Sequence, residues 1–241
     1  MNILVTGGSS GLGEAITRKL ASDSSNMVYF TYCHSKSKAA QIEQELSNTK
    51  ALQVDLCSTE SLQELFVQMD NMDLDGLVNN AYSGGDPVKT HFYKINPDEI
   101  LADFQHNVLS TVQITQKAIG IFRKKKKGNI VTVLTSYLLN TPPLGLSIYV
   151  ANKAYLKALV TVWASENNKF NISSNAVSPS FMMTNMTQST DERIIEQLVQ
   201  NHPLKKLLPA EEVAEAVAFL TKVSPQFNGI DLPITAGVLV K

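Results

Sequence analysis

Tyr149 and Lys153 stand one helical turn apart in the run Ser147-Ile148-Tyr149-Val150-Ala151-Asn152-Lys153, with Ser136 upstream at the end of an apolar, strand-like stretch. A tyrosine donates a proton near neutral pH only where something stabilises its phenolate. A side chain four residues along a helix shares its face and can reach it. A lysine cation there favours the charged phenol and draws its pKa down from about 10. A nearby serine hydroxyl would then polarise a carbonyl oxygen that the tyrosine protonates. The same spacing also describes a surface lysine beside a half-buried tyrosine, so the rest of the chain has to decide.

A second motif points the same way. Thr6-Gly7-Gly8-Ser9-Ser10-Gly11-Leu12-Gly13 follows the first apolar run and opens the first helical pattern. Glycines permit a tight turn and close backbone approach to a pyrophosphate, and a helix N-terminus adds N–H groups and partial positive charge. Its place after a strand and before a helix meets the context test for a dinucleotide site.

The elements that must position these groups alternate along the chain. Strand-like runs fall at 3–5, 28–30, 51–54, 76–78, 130–134, 172–177 and 230–234. Helical patterns lie near 12–22, 37–48, 59–70, 97–124, 147–169, 190–200 and 210–222. Apolar strands separated by helices predict an α/β fold, a doubly wound parallel sheet in three α/β/α layers. No repeat, low-complexity tract or linker divides it, so one domain over 1–241 is expected. Two irregular segments, Leu139 to Ser147 with Pro142-Pro143 and residues 180–206, follow strands and are candidate walls of a substrate pocket.

The bulk numbers fit this reading. With 241 residues, 44% hydrophobic and 18% charged, the chain can bury a substantial core. A net charge of −1 gives no electrostatic reason to expect nucleic acid or an anionic membrane, and no stretch is apolar enough to span a bilayer. The basic run Arg123-Lys124-Lys125-Lys126-Lys127-Gly128 reads as a helix C-terminus ended by Gly128. Cys33 and Cys57 show no metal or redox spacing, and the four histidines show none either, so no metal is expected. The opening Met1-Asn2-Ile3-Leu4-Val5 enters a strand at once, without a charged leader, so a cytoplasmic location is expected.

The glycine spacing Gly-x-x-x-Gly-x-Gly, with Thr6 before it, resembles the short-chain dehydrogenase/reductase family, and the resemblance covers nearly the whole chain. Asn79-Asn80-Ala81 matches the family's Asn-Asn-Ala-Gly, with Tyr82 replacing the glycine. Asn107, Ser136, Tyr149 and Lys153 match its catalytic tetrad in order. Pro179 to Thr184 resembles Pro-Gly-x-x-x-Thr, with Ser180 in the glycine position, and residues 228–237 look like the C-terminal strand segment.

The resemblance implies a reductase that moves a hydride between a nicotinamide cofactor and a ketone or secondary alcohol. Tyr149 would be the general acid. Lys153 would lower its pKa and hold the nicotinamide ribose, Ser136 would bond the substrate oxygen, and Asn107 would hold a water that passes protons toward Lys153. The cofactor would meet Gly7, Ser9, Ser10, Gly11, Leu12, Gly13, Asn80, Ala81, Met182 and Thr184. Asp55, with Leu56, either contacts adenine or belongs to a helix N-cap region. The second strand runs out through Cys33-His34-Ser35-Lys36-Ser37-Lys38 with no acid, so His34, Ser35 and the lysines favour NADP(H) over NAD(H).

Phe181 with Met182, Met183 and Met186 suggests an adaptable apolar lid over a partly apolar substrate. Length and layout are similar to the 3-oxoacyl-carrier-protein reductase group, which makes a carrier-linked ketone the leading substrate. A sugar, polyol or secondary-metabolite ketone is the alternative within the family. A non-catalytic dinucleotide-binding regulator is the alternative from another class. The family is commonly tetrameric, so a homo-oligomer, tetramer or dimer, is expected through the helices at 97–124 and 147–169.

Overall fold

The computed structural model describes residues 1–82, 90–184, 187 and 190–238. Seven parallel strands form one sheet in the order β3-β2-β1-β4-β5-β6-β7. They are β1 (Asn2–Val5), β2 (Met27–Tyr32), β3 (Thr49–Gln53), β4 (Gly76–Asn79), β5 (Gly128–Val133), β6 (Ile172–Pro179) and β7 (Asp231–Ile234). The helices are α1 (Gly11–Ala21), α2 (Lys36–Glu45), α3 (Thr59–Asp70), α4 (Pro97–Phe104), α5 (Ser110–Lys125), α6 (Ser147–Asn167), α7 (Glu192–Asn201) and α8 (Ala210–Leu220). The strand order reverses between β1 and β4, which pair in parallel at Ile3–Gly76, Leu4–Leu77 and Val5–Val78. Ligands of open α/β sheets bind in the crevice at such a switch point.

Strand alternation divides the apolar side chains between two cores, as period-2 geometry requires. Leu4, Leu77 and Ile130 face one side, packing with Leu65, Ile114, Phe122 and Trp163 of α3, α5 and α6. Ile3, Val5, Val78 and Val131 face the other, with Ile16 and Leu20 of α1, Ile42 of α2, and Val213 and Val217 of α8. The sheet is thus covered on both faces in a three-layer, single-domain α/β/α fold of the doubly wound type. Strand β6 carries buried polar residues that find partners: Ser173 donates to Asn129 at 2.6 Å, Ser178 to Asp231 at 2.6 Å, and Asn175 to the Phe227 carbonyl at 2.8 Å.

Two local expectations change. The helix pattern 97–124 is interrupted: α4 and α5 are joined by a π-helical segment, Gln105–Leu109, which contains Asn107. A one-residue bulge of this kind is invisible to hydrophobic periodicity and is frequent at functional sites. The basic run ends its helix differently as well. Lys126 takes the left-handed conformation, φ 53°, that caps α5, while Gly128 opens β5, where a Cβ would lie 2.3 Å from the Phe122 ring. Gly128 is needed for packing against α5 and not for the turn.

Candidate active site

The glycine-rich turn between β1 and α1 is built around positive backbone angles, φ 66° at Gly7 and φ 53° at Gly11, which only glycine adopts without strain. A Cβ at Gly13 would stand 1.9 Å from the Gly7 carbonyl oxygen, so α1 approaches the turn as closely as backbone allows. Thr6 and Asn80 lock this turn to the end of β4. The Thr6 hydroxyl accepts from the backbone N–H groups of Asn80 and Ala81, each at 3.0 Å. The Asn80 amide donates to the carbonyls of Thr6 at 2.9 Å and Gly7 at 3.2 Å. Asn79 instead points into the core, donating to Thr115 on α5 at 2.9 Å.

A cavity of about 750 Å³ opens from this turn across the carboxyl ends of the strands. Among the residues expected at a cofactor, Gly7, Ser10, Gly11, Leu12, Gly13, Asp55, Leu56, Asn80, Ala81, Tyr149, Lys153, Met182 and Thr184 line it. Ser9, His34 and Ser35 do not. Ser9 is buried beneath the turn. Beyond β2 the lining stops at Cys33, against whose sulfur the His34 ring rests at 3.4 Å. Ser35 takes the N-cap position of α2. Asp55 lines the cavity and accepts from the Cys57 N–H at 2.9 Å, while Ser58 is the N-cap of α3. The helix N-cap foreseen for this region thus falls on Ser58, and Asp55 stands at the cavity wall.

Tyr149 and Lys153 project from the first turns of α6, and Lys153 is buried. The Lys153 ammonium donates to the Val133 carbonyl at the end of β5, at 2.8 Å, and lies 5.9 Å from the Tyr149 ring centroid. Burial disfavours both charged forms. It pushes the Tyr149 phenol up to about 12, partly opposed by a hydrogen bond from Thr135 and reinforced by Tyr137. It draws Lys153 down to about 8. The net shift of the Tyr149 phenol is therefore upward, opposite to the lowering expected beside Lys153. Desolvation outweighs an ammonium held by a backbone carbonyl.

The hydroxyl beside the phenol is that of Thr135, not Ser136. β5 ends at Val133, Thr135 caps a 3-10 turn that starts at Ser136, and its side chain accepts from the Tyr137 N–H at 3.3 Å. Thr135 and Tyr137 face the cavity; Ser136, between them, is buried and is not part of its lining. At the strand-to-turn junction successive side chains diverge, so a one-residue difference exchanges inside for outside.

Asn107 is also buried and outside the cavity lining. Its amide donates to Asp103 Oδ1 at 3.1 Å. The same oxygen accepts from the Tyr82 phenol at 2.9 Å and from the Asn152 amide at 2.6 Å. Asp103, Asn152, Tyr82 and Thr135 are the groups at the centre that motif spacing missed. Tyr82 alone left a signal, as a bulky residue where a glycine is expected.

The remaining wall is mostly apolar: Tyr137, Leu144, Leu146, Phe181, Ile194 and Leu198 line it with Met182. Pro143 lines it and its neighbour Pro142 does not. Met183 is half exposed, and Met186 lies outside the described residues. Among the described residues no cluster of three histidines, cysteines or carboxylates could hold a metal, Cys33 and Cys57 are unbridged, and no helix is long and apolar enough to cross a membrane.

Fold and site together define an oxidoreductase of the α/β dinucleotide-binding class. Residues 7–238 match the model of a short-chain alcohol-dehydrogenase family described as Enoyl-(Acyl carrier protein) reductase. A 3-oxoacyl-[acyl-carrier-protein] reductase, FabG, from Aquifex aeolicus (strain VF5) is 31% identical over 243 residues, covering 98% of this chain and 96% of that protein. Carbonyl reductase family member 4 from Xenopus tropicalis is 29% identical, covering 97% and 96%. A crystal structure of a provisionally assigned gluconate dehydrogenase from Agrobacterium tumefaciens superposes with a TM-score of 0.90 at 25% identity, covering 100% of this chain and 96% of that one. The chain belongs to the short-chain dehydrogenase/reductase family, whose members are oxidoreductases acting on CH–OH groups.

Proposed function

We propose that this protein is an NADP(H)-dependent ketoreductase acting on 3-oxoacyl groups carried as thioesters. The observation that carries the reading is the convergence, in one cleft, of the Gly7–Gly13 turn with the Thr135 hydroxyl, the Tyr149 phenol and the Lys153 ammonium. The residues fit a dinucleotide. The N-terminus of α1 presents backbone donors beside glycines that leave no side chain in the way, and β2 ends without a carboxylate that would repel a 2′-phosphate.

Bound nicotinamide supplies the hydride that reaches the carbonyl carbon, or takes it back in the reverse direction. Everything else belongs to the chain. Tyr149 gives its phenolic proton to the carbonyl oxygen as C=O becomes CH–OH, and Thr135 donates a hydrogen bond to that oxygen as negative charge develops on it. Lys153, when charged, stabilises the phenolate left behind and offers a donor to the ribose. Asp103 orients Asn107 and Asn152 at the rear of the site.

The apolar wall formed by Leu144, Phe181, Ile194 and Leu198 suits an acyl chain better than a sugar or polyol, which would leave hydroxyls without partners there. The FabG relatives support the same substrate class. Segment 180–206 is read as the lid. A cytoplasmic homo-oligomer completes the proposal, supported by exposed Leu101, Leu109, Tyr155 and Val162 along α4–α6.

The test mixes the protein with NADPH and a ketone panel that includes acetoacetyl-coenzyme A, a 3-oxoacyl thioester, and follows cofactor absorbance. Turnover of the thioester above simple ketones and sugars is expected. Preference for a sugar or polyol would move the assignment to that branch, and tight NADPH binding without turnover of any ketone would favour a regulator.

A further inference from the structure

Tyr82 stands where the family resemblance calls for a glycine, and its side chain reaches the centre of the site. The ring packs edge-on against Tyr149, centroids 5.1 Å apart at an interplanar angle of 68°. Its face lies 5.3 Å from the Lys153 ammonium nitrogen. The phenol is anchored on Asp103 Oδ1, the oxygen that also gathers Asn107 and Asn152. One carboxylate oxygen thus ties the segment after β4 to α4, to the π-helical turn and to α6.

We infer that Tyr82 is a positioning residue for the Tyr149–Lys153 pair, fixing the Tyr149 ring by edge contact and holding the Lys153 cation against its own face, with Asp103 as its anchor. The inference rests on the reading of that pair as the proton-transfer centre. An edge-to-face contact between aromatic rings favours one ring orientation, and here it sets the direction in which the Tyr149 hydroxyl points. A ring face attracts a cation, more strongly when the cation is desolvated. Lys153 is buried, and among the described residues no carboxylate forms an ion pair with it. The titratable groups around it are Tyr149 on its own helix, Tyr82 after β4, Tyr137 after β5, and Asp103 of α4 behind the Tyr82 phenol. The aromatic face of Tyr82 therefore supplies attraction for the cation where no carboxylate does. A glycine at position 82 supplies neither contact.

The test compares Y82L, which removes the ring while keeping apolar bulk, with Y82F, which keeps the ring and loses the bond to Asp103. The first readout is independent of turnover: NMR titration of ¹³Cε-labelled lysine, with the Lys153 signal assigned by its loss in K153R. The wild-type midpoint is expected at about 8. Y82L is expected to lower it by about half a unit or more, and Y82F to return it to the wild-type value. Thermal unfolding establishes that each variant is folded, and Y82M replaces Y82L if the latter is not.

The second readout uses NADPH and acetoacetyl-coenzyme A. Y82L is expected to lower kcat by about tenfold with the KM for NADPH kept within about threefold. An unchanged or raised lysine midpoint in folded Y82L overturns the inference. A loss confined to the KM for NADPH also overturns it, since Tyr82 would then be cofactor wall. Failure of the underlying proton-transfer reading appears separately, as turnover that survives Y149F, and the lysine titration does not depend on it.

Discussion

Thr135 and Tyr149 line the same cavity, where the Thr135 hydroxyl opposes the rise of the phenol's pKa, and the 3-10 turn that begins one residue later carries the Ser136 side chain out of the cavity lining. A hydroxyl next to the proton donor can reach the same substrate oxygen, and a buried one facing elsewhere cannot. T135A is therefore expected to lower kcat for carbonyl reduction by about a hundredfold, the scale of one oxyanion donor. T135S should recover most of it. S136A should retain activity within about threefold. Steady-state rates of the three variants decide this, and a large loss in S136A with none in T135A would reverse the assignment.

The pH dependence follows from burial. Lys153 loses its proton at about 8, whereas Tyr149, raised to about 12, keeps its own across the working range. Lys153 is charged below about 8 and neutral above it, so the cation that stabilises the phenolate disappears as pH rises. For reduction, kcat/KM should hold level below about pH 8 and fall above it, approaching about tenfold per unit. K153R, whose guanidinium stays charged, should be slower in absolute rate and should lack that limb. A limb that persists in K153R would assign the titration to another group.

Gly13 tests the turn. A methyl group there would meet the Gly7 carbonyl at 1.9 Å and the Asn80 amide at 2.6 Å, and neither can yield without opening the junction between β1 and β4. Alanine in a helix is ordinarily favoured over glycine by about 1 kcal/mol. Here the clash should dominate. G13A is expected to lose about 1–3 kcal/mol of stability in urea unfolding. Its NADPH affinity, measured by calorimetry, should fall by about tenfold or more.

Cofactor preference is read at the end of β2. The cavity reaches Cys33 and stops short of His34, so position 33 is where a carboxylate would meet the ribose. C33D should weaken NADPH by about tenfold or more relative to NADH, as a carboxylate repels the 2′-phosphate and accepts from a 2′-hydroxyl. Competitive binding of the two cofactors measures it. An unchanged ratio would place the discriminating contact elsewhere.

What the chain reveals on reading divides along physical lines. Gly7, Gly11 and Gly13 announce the turn because no other residue tolerates that geometry, and Tyr149 with Lys153 gains its meaning from helical spacing together with the glycine-rich turn and the other family motifs. The strands are legible from apolar runs, although β6 extends through Ser178 and Pro179 by pairing with β7, which composition does not advertise. Thr135 and Ser136 carry equivalent hydroxyls one residue apart, and only the exact end of β5 decides which faces the phenol. Asn107 stands out by its match to the family tetrad within the 97–124 helical pattern, whereas its burial and its Asp103 partner have no sequence signal. The π-helical segment and the approach of Asp103 to Tyr82 and Asn152 are tertiary facts without a periodic signature.

The central claim is that the Tyr149 phenol delivers the proton in carbonyl reduction. Its most direct test is single-turnover oxidation of NADPH by acetoacetyl-coenzyme A in wild type and Y149F, with NADPH affinity measured on the same samples. A loss of about a hundredfold to ten-thousandfold in the chemical step is expected, with NADPH affinity held within about threefold. A Y149F enzyme that reduces the ketone at the wild-type rate would contradict it.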